Sequence, residues 1–251
     1  MTPFDGTPSP SSDREYPEGT GPDHVNFSAL NADDRNVSHS PREHWASYAV
    51  VYTAPSERPL VEGNYYINSS TGEIVGERWN DARVYLNGST YAFVQPADGV
   101  SAREREQLES DGTFVYHEAT DAYYRYDRHY GSVAPTNLGR HPTVLHAYTW
   151  EATDTTTHHG VRVVTYRATG SRTDTRAPPV VNGTLRLGVE AGVVYAFDVT
   201  LDAGERNYRY TYDVKPAPFP DHEWVDRAQE VTAENTSSAG SSESERFHVS
   251  R

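Results

Sequence analysis

The chain has 251 residues, which suits one β-rich domain with tails or at most two small domains. Its formal net charge is −14 and no basic stripe offsets the acidic groups, which excludes nucleic acid and an anionic membrane surface as principal partners. Cysteine is absent, which excludes disulfides, thiolate metal sites and cysteine nucleophiles.

The basic residues are strongly biased toward arginine, since only Lys215 among the 22 is a lysine. An acidic surface almost without lysine is typical of proteins from salt-loving organisms. Their carboxylates keep the surface hydrated in molar salt, where screening shortens the range of charge repulsion to about 3 Å. The sequence therefore predicts a halophilic protein. An ordinary acidic protein with biased codon usage is the alternative.

Residues 1–40 contain five prolines between positions 3 and 22, among Gly, Ser, Asp and Asn. Too few apolar side chains are present to offset the entropy of ordering this segment. We predict a flexible N-terminal stalk. The first residues have neither a basic region nor an apolar run, so no signal peptide is predicted, and any export segment would have preceded the stalk.

From residue 45 the apolar pattern has a period of two, which is typical of half-buried strands. Val and Tyr supply most of the large side chains, with 25 and 18 copies. The pattern predicts about eleven strands, over residues 45–54, 60–68, 73–80, 82–86, 90–95, 113–117, 150–154, 161–169, 183–189, 193–201 and 207–214.

Three short segments between strands have a helical pattern. Residues 101–109 predict a charged helix or loop, residues 121–129 a helical turn, and residues 136–148 a helix with Pro142 near its first turn. Residues 229–251 are polar and of low complexity, which predicts a disordered tail. A single β domain is thus expected over residues 41–228.

Several runs follow one another in a characteristic order: YPEG (16–19), VEGNYYIN (61–68), RVYLNGSTYAF (83–93), GVRVVTYRATG (160–170), GVVYAFDVTLDAG (192–204), NYRYTYDV (207–214) and EWVDRA (223–228). This order resembles haloarchaeal surface lipoproteins of uncharacterised function, which are similar to the LolA/LppX-type lipoprotein carriers. The resemblance spans residues 16–228 and rests on the order of these runs and on their residue pattern, not on an invariant motif.

The resemblance implies a mainly β fold with a few helices (α+β), in which a curved antiparallel sheet, a half-barrel, is covered by mid-chain helices and receives acyl chains. It also implies an N-terminal lipid anchor on a cysteine. Because this chain has no cysteine, we expect membrane attachment only through an anchor that the sequence does not contain.

Aromatic rings on the strands could line an apolar groove, with their hydroxyls at its mouth. Simple packing on a sheet poor in Leu and Ile is the alternative. The candidate groove residues are Tyr65, Tyr85, Tyr91, Phe93, Leu145, Tyr166, Tyr195 and Tyr210.

Six Asn-x-Ser/Thr sequons indicate exposure at the cell surface, with glycan attached at some of them. They begin at Asn26, Asn36, Asn68, Asn87, Asn182 and Asn235. Two of them, at Asn87 and Asn182, also fit hairpin turns.

No nucleophile elbow or phosphate-binding glycine loop occurs, so neither catalytic residues nor a cofactor are predicted. His141 and His146 are spaced five apart, which does not suit two metal ligands on one helix face. Metal binding by His158 and His159 with a nearby carboxylate stays open, although we expect no metal.

These patterns favour a non-enzymatic extracellular protein that carries a lipid or another apolar ligand. A glycosylated structural protein that assembles with other surface or virion proteins is the second hypothesis. A metal-dependent enzyme is the third.

Overall fold

The computed structural model describes residues 15–30, 44–53, 63–78, 81–128, 142–190 and 192–244. Twelve strands in these ranges form one antiparallel sheet in the order β6-β7-β5-β4-β3-β2-β1-β12-β11-β10-β9-β8. The strands are β1 (Ser47–Thr53), β2 (Gly63–Asn68), β3 (Ile74–Arg78), β4 (Arg83–Asn87), β5 (Thr90–Pro96), β6 (Val115–His117), β7 (Ala122–Asp127), β8 (Tyr148–His158), β9 (Val161–Ser171), β10 (Val180–Gly188), β11 (Val194–Asp202) and β12 (Asn207–Pro216). The predicted mainly β fold with an antiparallel sheet is confirmed.

Four α-helices accompany the strands in the part of the chain that the structure describes. They are α1 (Phe27–Leu30), α2 (Ala102–Ser110), α3 (Pro142–His146) and α4 (Trp224–Ser244). Within the described ranges, no helix is both long enough and apolar enough to cross a membrane. The chain divides into two compact units, one comprising residues 1–39 and 142–208 and the other residues 40–141 and 209–251.

The first unit contains strands β8 to β11, which pair in chain order. Leu185 on β10 lies opposite both Tyr166 on β9 and Phe197 on β11, so the three side chains share one face. All three are buried, as is Trp150 on β8. Its indole Nε1 donates a hydrogen bond of 3.0 Å to the carbonyl of Leu145 on α3, which fixes this short helix to the sheet.

N-terminal residues pack on this unit. The Ala152 N–H on β8 donates to the Pro22 carbonyl at 2.7 Å, and the Phe27 ring on α1 stacks on the His146 ring at 4.9 Å. Phe27 is buried. Residues 15–30 are therefore a packed part of the unit, although the sequence placed them in a flexible stalk. The rest of that predicted stalk lies outside the described residues.

The second unit contains the other strands, in the order β6-β7-β5-β4-β3-β2-β1-β12. Strand β12 begins in the first unit and pairs with β1 in the second, where Val214 lies opposite Val50. Helix α4 packs across β5, β6 and β7. Ala228 and Val231 of α4 are 0% and 3% exposed, and they pack with apolar residues of the sheet.

The helix that covers most of the sheet in the second unit is not the one that the sequence predicts. No side chain of the mid-chain helix α2 is buried, whereas the C-terminal helix α4 covers three strands. Residues 229–244, predicted as disordered tail, belong to α4, because Ala228 and Val231 anchor its first turns and small residues continue the helix.

The predicted helical turn over residues 121–129 is wrong. Strand β7 occupies most of this range, because Ala122 to Asp127 pair with Tyr91 to Pro96 of β5 and Tyr side chains favour a pleated sheet. The helix predicted over residues 136–148 is shorter, since α3 ends at His146 and residues 129–141 lie outside the described ranges.

Candidate ligand-binding site

The sheet of the second unit has apolar side chains on both of its faces. One face carries Val75, Tyr85, Ala92 and Val94, which pack with α4; we call it the helix face. The register places the opposite side chains in another row, which we call the tyrosine face. It runs Val214, Val50, Tyr65, Gly76, Val84 and Phe93.

The tyrosine face continues along each strand, because side chains two residues apart point the same way. Tyr52 lies opposite Tyr212, and Leu86 lies opposite Tyr91. Tyr52, Tyr65 and Val84 are 1%, 2% and 2% exposed. If this face of the sheet were exposed to solvent, polar residues would be expected at these positions. Both faces of the sheet in the second unit are therefore apolar.

The structure divides the eight predicted groove residues between the two units. Leu145, Tyr166 and Tyr195 belong to the first unit, and all three are buried there. Within the second unit, the tyrosine face holds Tyr65, Tyr91, Phe93 and Tyr210, whereas the helix face holds Tyr85. Tyr85 and Tyr65 therefore cannot line one common groove.

The hydroxyls of two buried tyrosines have different surroundings. Tyr166 Oη donates to Thr20 Oγ1 at 3.0 Å, so its polar end is bound by the N-terminal segment. Tyr65 Oη is buried without a hydrogen bond of good geometry, and its polar neighbour is the Arg78 guanidinium. A buried hydroxyl without a partner costs about 1–3 kcal/mol, which makes Tyr65 the more informative of the two.

Aromatic and cationic side chains meet where β5 and β7 pair. The rings of Phe93 and Phe114 lie edge to face with centroids 5.4 Å apart. The Arg125 guanidinium lies 5.4 Å from the Tyr91 ring centroid and 5.6 Å from that of Phe114. Cation–π contact of this kind holds a charged side chain against an apolar surface.

A cleft of about 520 Å³ lies at the ends of β1 to β4 in the second unit. Its size falls within the range of small-molecule sites. Residues from both faces of the sheet line it, because the cleft lies where these strands end. The lining residues are Val51, Tyr52, Thr53, Gly63, Asn64, Glu77, Arg78, Asp81 and Arg83.

Arg78 connects this cleft with Tyr65. Arg78 lies opposite Gly63, two residues before Tyr65, so both side chains belong to the tyrosine face. Burial raises the pKa of the Tyr65 hydroxyl, and the Arg78 guanidinium acts against that rise. Arg78 Nε is itself buried without a hydrogen-bond partner among the described residues.

A second polar cluster lies on the helix face. Tyr85 Oη donates to Glu73 Oε1 at 2.7 Å, and the His222 ring stacks on the Tyr85 ring with centroids 5.2 Å apart. His222 Nε2 lies 4.0 Å from Glu73 Oε1. The cluster joins the sheet to the segment that leads into α4.

Hydrogen bonding sets the ionisation of this cluster. Hydrogen bonds from Thr71 and Tyr85 lower the pKa of Glu73, with a smaller contribution from the charge of His222. Burial, together with the hydrogen bond to Glu73, raises the pKa of Tyr85 to about 12. Glu73 is thus held as a carboxylate and Tyr85 as a neutral donor.

Sequence reasoning missed Glu73, Arg78 and His222. Glu73 and Arg78 are two among many acidic and arginine residues, so neither is distinguished by its sequence context. The contact of His222 with Tyr85 spans more than a hundred residues of sequence. One local signal was available for Arg78: it ends a strand whose preceding alternate positions, Ile74 and Gly76, face the same side as Tyr65.

Two of the histidines considered as metal ligands, His146 and His158, contact other rings. His146 stacks on Phe27, and burial lowers its pKa. His158 is 5% exposed, and its ring lies edge to face with that of His159 at 4.6 Å. Metal binding by the pair remains a hypothesis. His141 lies outside the described residues.

The sequon asparagines are mostly at the surface. Asn26, Asn87, Asn182 and Asn235 are exposed and Asn68 is half-buried, with its Oδ1 accepting from the Ser70 N–H at 3.0 Å. Asn36 lies outside the described residues. Four acceptor side chains are therefore accessible in the folded chain.

No known family profile matches the chain. No curated protein matches it either. Among solved structures, the chain is similar to lipoprotein LppX of Mycobacterium tuberculosis, with 11% identity, 75% of this chain and 95% of that chain covered, and a TM-score of 0.34. It is also similar to a LolA superfamily protein of Nitrosomonas europaea, with 11% identity, coverages of 70% and 86%, and a TM-score of 0.20.

Proposed function

We propose that this protein is a non-enzymatic, extracytoplasmic carrier that binds a lipid or another apolar ligand on the tyrosine face of its second unit. The observation that carries the proposal is the two-sided apolar sheet. Helix α4 accounts for the helix face, whereas the opposite face carries a row of buried Tyr and Val side chains that are outside the core cluster of α4. Rings with a polar tip suit a ligand that has both apolar and polar parts.

The composition supports an extracytoplasmic location in a salt-loving organism. A net charge of −14 with a single lysine suits a surface hydrated in concentrated salt. The exposed side chains of Asn26, Asn87, Asn182 and Asn235 support attachment of glycan. Together these features favour a cell-surface carrier of a halophilic archaeon.

The proposal is tested with a fluorescent acyl probe, dansyl-undecanoic acid, added to the full-length protein in high salt. We expect saturable binding at one site per chain, a blue shift of dansyl emission, and displacement of the probe by hexadecanol. Emission that rises linearly with probe concentration, without saturation or displacement, contradicts the proposal.

Two valines provide a matched pair of variants for this experiment. Val84 on the tyrosine face and Val75 on the helix face are 2% and 1% exposed and lie on neighbouring strands. Both Val→Ala changes remove the same apolar volume. We expect Val84→Ala to weaken probe binding by about threefold to tenfold, since two methyl groups of contact are lost, and Val75→Ala to leave it unchanged. An equal effect of the two variants would place the ligand elsewhere.

A further inference from the structure

Buried polar atoms are rarely left without partners in folded proteins, and each exception calls for a physical reason. In the second unit, Tyr65 Oη and Arg78 Nε are two such atoms. They lie on the same face of the sheet, and the Arg78 guanidinium is near enough to oppose the rise in the pKa of the Tyr65 hydroxyl. Tyr65 is only 2% exposed, so water does not reach its hydroxyl as it reaches a surface tyrosine.

The acidic groups near Arg78 do not supply its partner. Glu77 is the next residue on β3 and therefore points to the helix face, where its Oε2 accepts from Tyr66 Oη at 3.5 Å. Asp81 lines the same cleft, but no described carboxylate forms an ion pair with Arg78. A guanidinium with a buried, unused donor is suited to a planar or tetrahedral anion.

The cleft gives such an anion a route to Arg78, which lines it, whereas Tyr65 lies behind the lining residues. Arg78 and Tyr52 both line it, and Gly63 beside them has no side chain to obstruct it. At Gly63 an added Cβ would collide with the Glu77 carbonyl oxygen, so the backbones of β2 and β3 approach closely there and only glycine fits.

We propose that Arg78 and Tyr65 form an oxyanion site that binds the carboxylate or phosphate group of an amphiphilic ligand entering by the cleft. The inference rests on the proposed function for the apolar part of that ligand. Arg78 supplies charge and N–H donors, Tyr65 supplies one O–H donor, and the apolar chain extends along the tyrosine face. The protein then selects anionic amphiphiles over neutral ones.

The test compares four probes by isothermal titration calorimetry on the full-length protein: hexadecanoate, hexadecyl phosphate, hexadecanol and inorganic phosphate. We expect the wild type to bind at least one of the two anionic amphiphiles about tenfold or more tightly than hexadecanol, as the loss of a charged hydrogen bond predicts. Hexadecyl phosphate binding more tightly than inorganic phosphate identifies a lipid headgroup, and equal affinities identify a free anion as the ligand.

Three variants separate the anion site from general effects. We expect Arg78→Gln to abolish the preference for the anionic probes and to leave hexadecanol binding unchanged. Tyr65→Phe removes the hydroxyl alone, and we expect a severalfold loss for the anionic probes only. Arg103→Gln on α2 makes the same charge change at an exposed position, and we expect it to behave as wild type.

The outcomes distinguish this inference from the proposed function. Equal binding of the anionic and neutral amphiphiles, unaffected by Arg78→Gln and Tyr65→Phe, overturns the oxyanion site and leaves the carrier function standing. Binding of inorganic phosphate alone, lost in Arg78→Gln, supports the site and contradicts the carrier function. Absence of binding by all four probes overturns both.

Discussion

Gly76 shows how tightly the tyrosine face is packed at the level of one residue. An added Cβ would lie 2.6 Å from Val84 Cγ2 and 2.7 Å from the Tyr65 ring. We expect Gly76→Ala to lower the free energy of unfolding by about 1–3 kcal/mol, because the buried ring has to move. Urea unfolding measures the change. Gly112→Ala is the control, since nothing lies within 4 Å of that Cβ, and a similar loss in both variants would contradict the packing argument.

Tyr85 gives a second prediction, one of pH dependence. Its pKa is raised to about 12 in the folded protein, so the folded state keeps the proton that the unfolded chain loses near pH 10. The stability that this hydrogen bond contributes is therefore present below pH 10 and is lost as the pH rises toward 12.

Ultraviolet titration of tyrosinate absorbance checks this prediction. The difference between wild type and Tyr85→Phe isolates one hydroxyl, and we expect its midpoint near pH 12. Glu73→Gln removes the acceptor charge, and we expect it to lower that midpoint. A difference curve centred at pH 10 would show that the contact with Glu73 is absent.

At the scale of elements, α4 is the helix whose packing most affects the second unit. Ala228 is 0% exposed against the sheet, and Ala233, further along the helix, is exposed. We expect Ala228→Asp to destabilise the protein by about 3 kcal/mol or more, because it buries an unpaired charge. Thermal unfolding followed by circular dichroism compares it with Ala233→Asp, for which we expect little change. Similar melting temperatures for the two variants would contradict the packing of α4.

The elements also show what the sequence could predict. Strands β5 and β11 were predicted within a few residues, because apolar and aromatic residues clustered between turn signals identify β5 and strict alternation identifies β11. Strand β7 was mistaken for a helical turn, since its pairing with β5 joins segments about thirty residues apart. Helix α4 was missed altogether, because its Ser, Thr and Gly residues lower helix propensity and the tertiary contacts of Val231 that offset this are not local in sequence.

The candidate site was predictable only in part, because local patterns identify single residues but not the contacts between residues far apart in sequence. Alternation identified Tyr65, Tyr91 and Phe93 as strand residues with large rings, and the structure places them on one face. It could not identify Arg78, because its significance depends on a buried Tyr65 hydroxyl and on an acid that points the other way.

At the scale of the whole molecule, surface charge governs the response to salt. With a net charge of −14, repulsion between carboxylates destabilises the folded chain when the Debye length is about 10 Å and much less when molar salt reduces it to about 3 Å. We expect the melting temperature to rise continuously with KCl concentration up to the molar range. Highest stability at low salt would contradict the proposed halophilic origin.

Lys215 provides a single side-chain site for chemical labelling, because the composition is almost free of lysine. It is the one lysine of the chain, it is exposed, and it lies on β12 opposite Ala49. Amine-directed reagents therefore have a single side-chain target at a known point of the sheet, besides the chain terminus. A dye attached there would follow ligand uptake by energy transfer without any engineered cysteine.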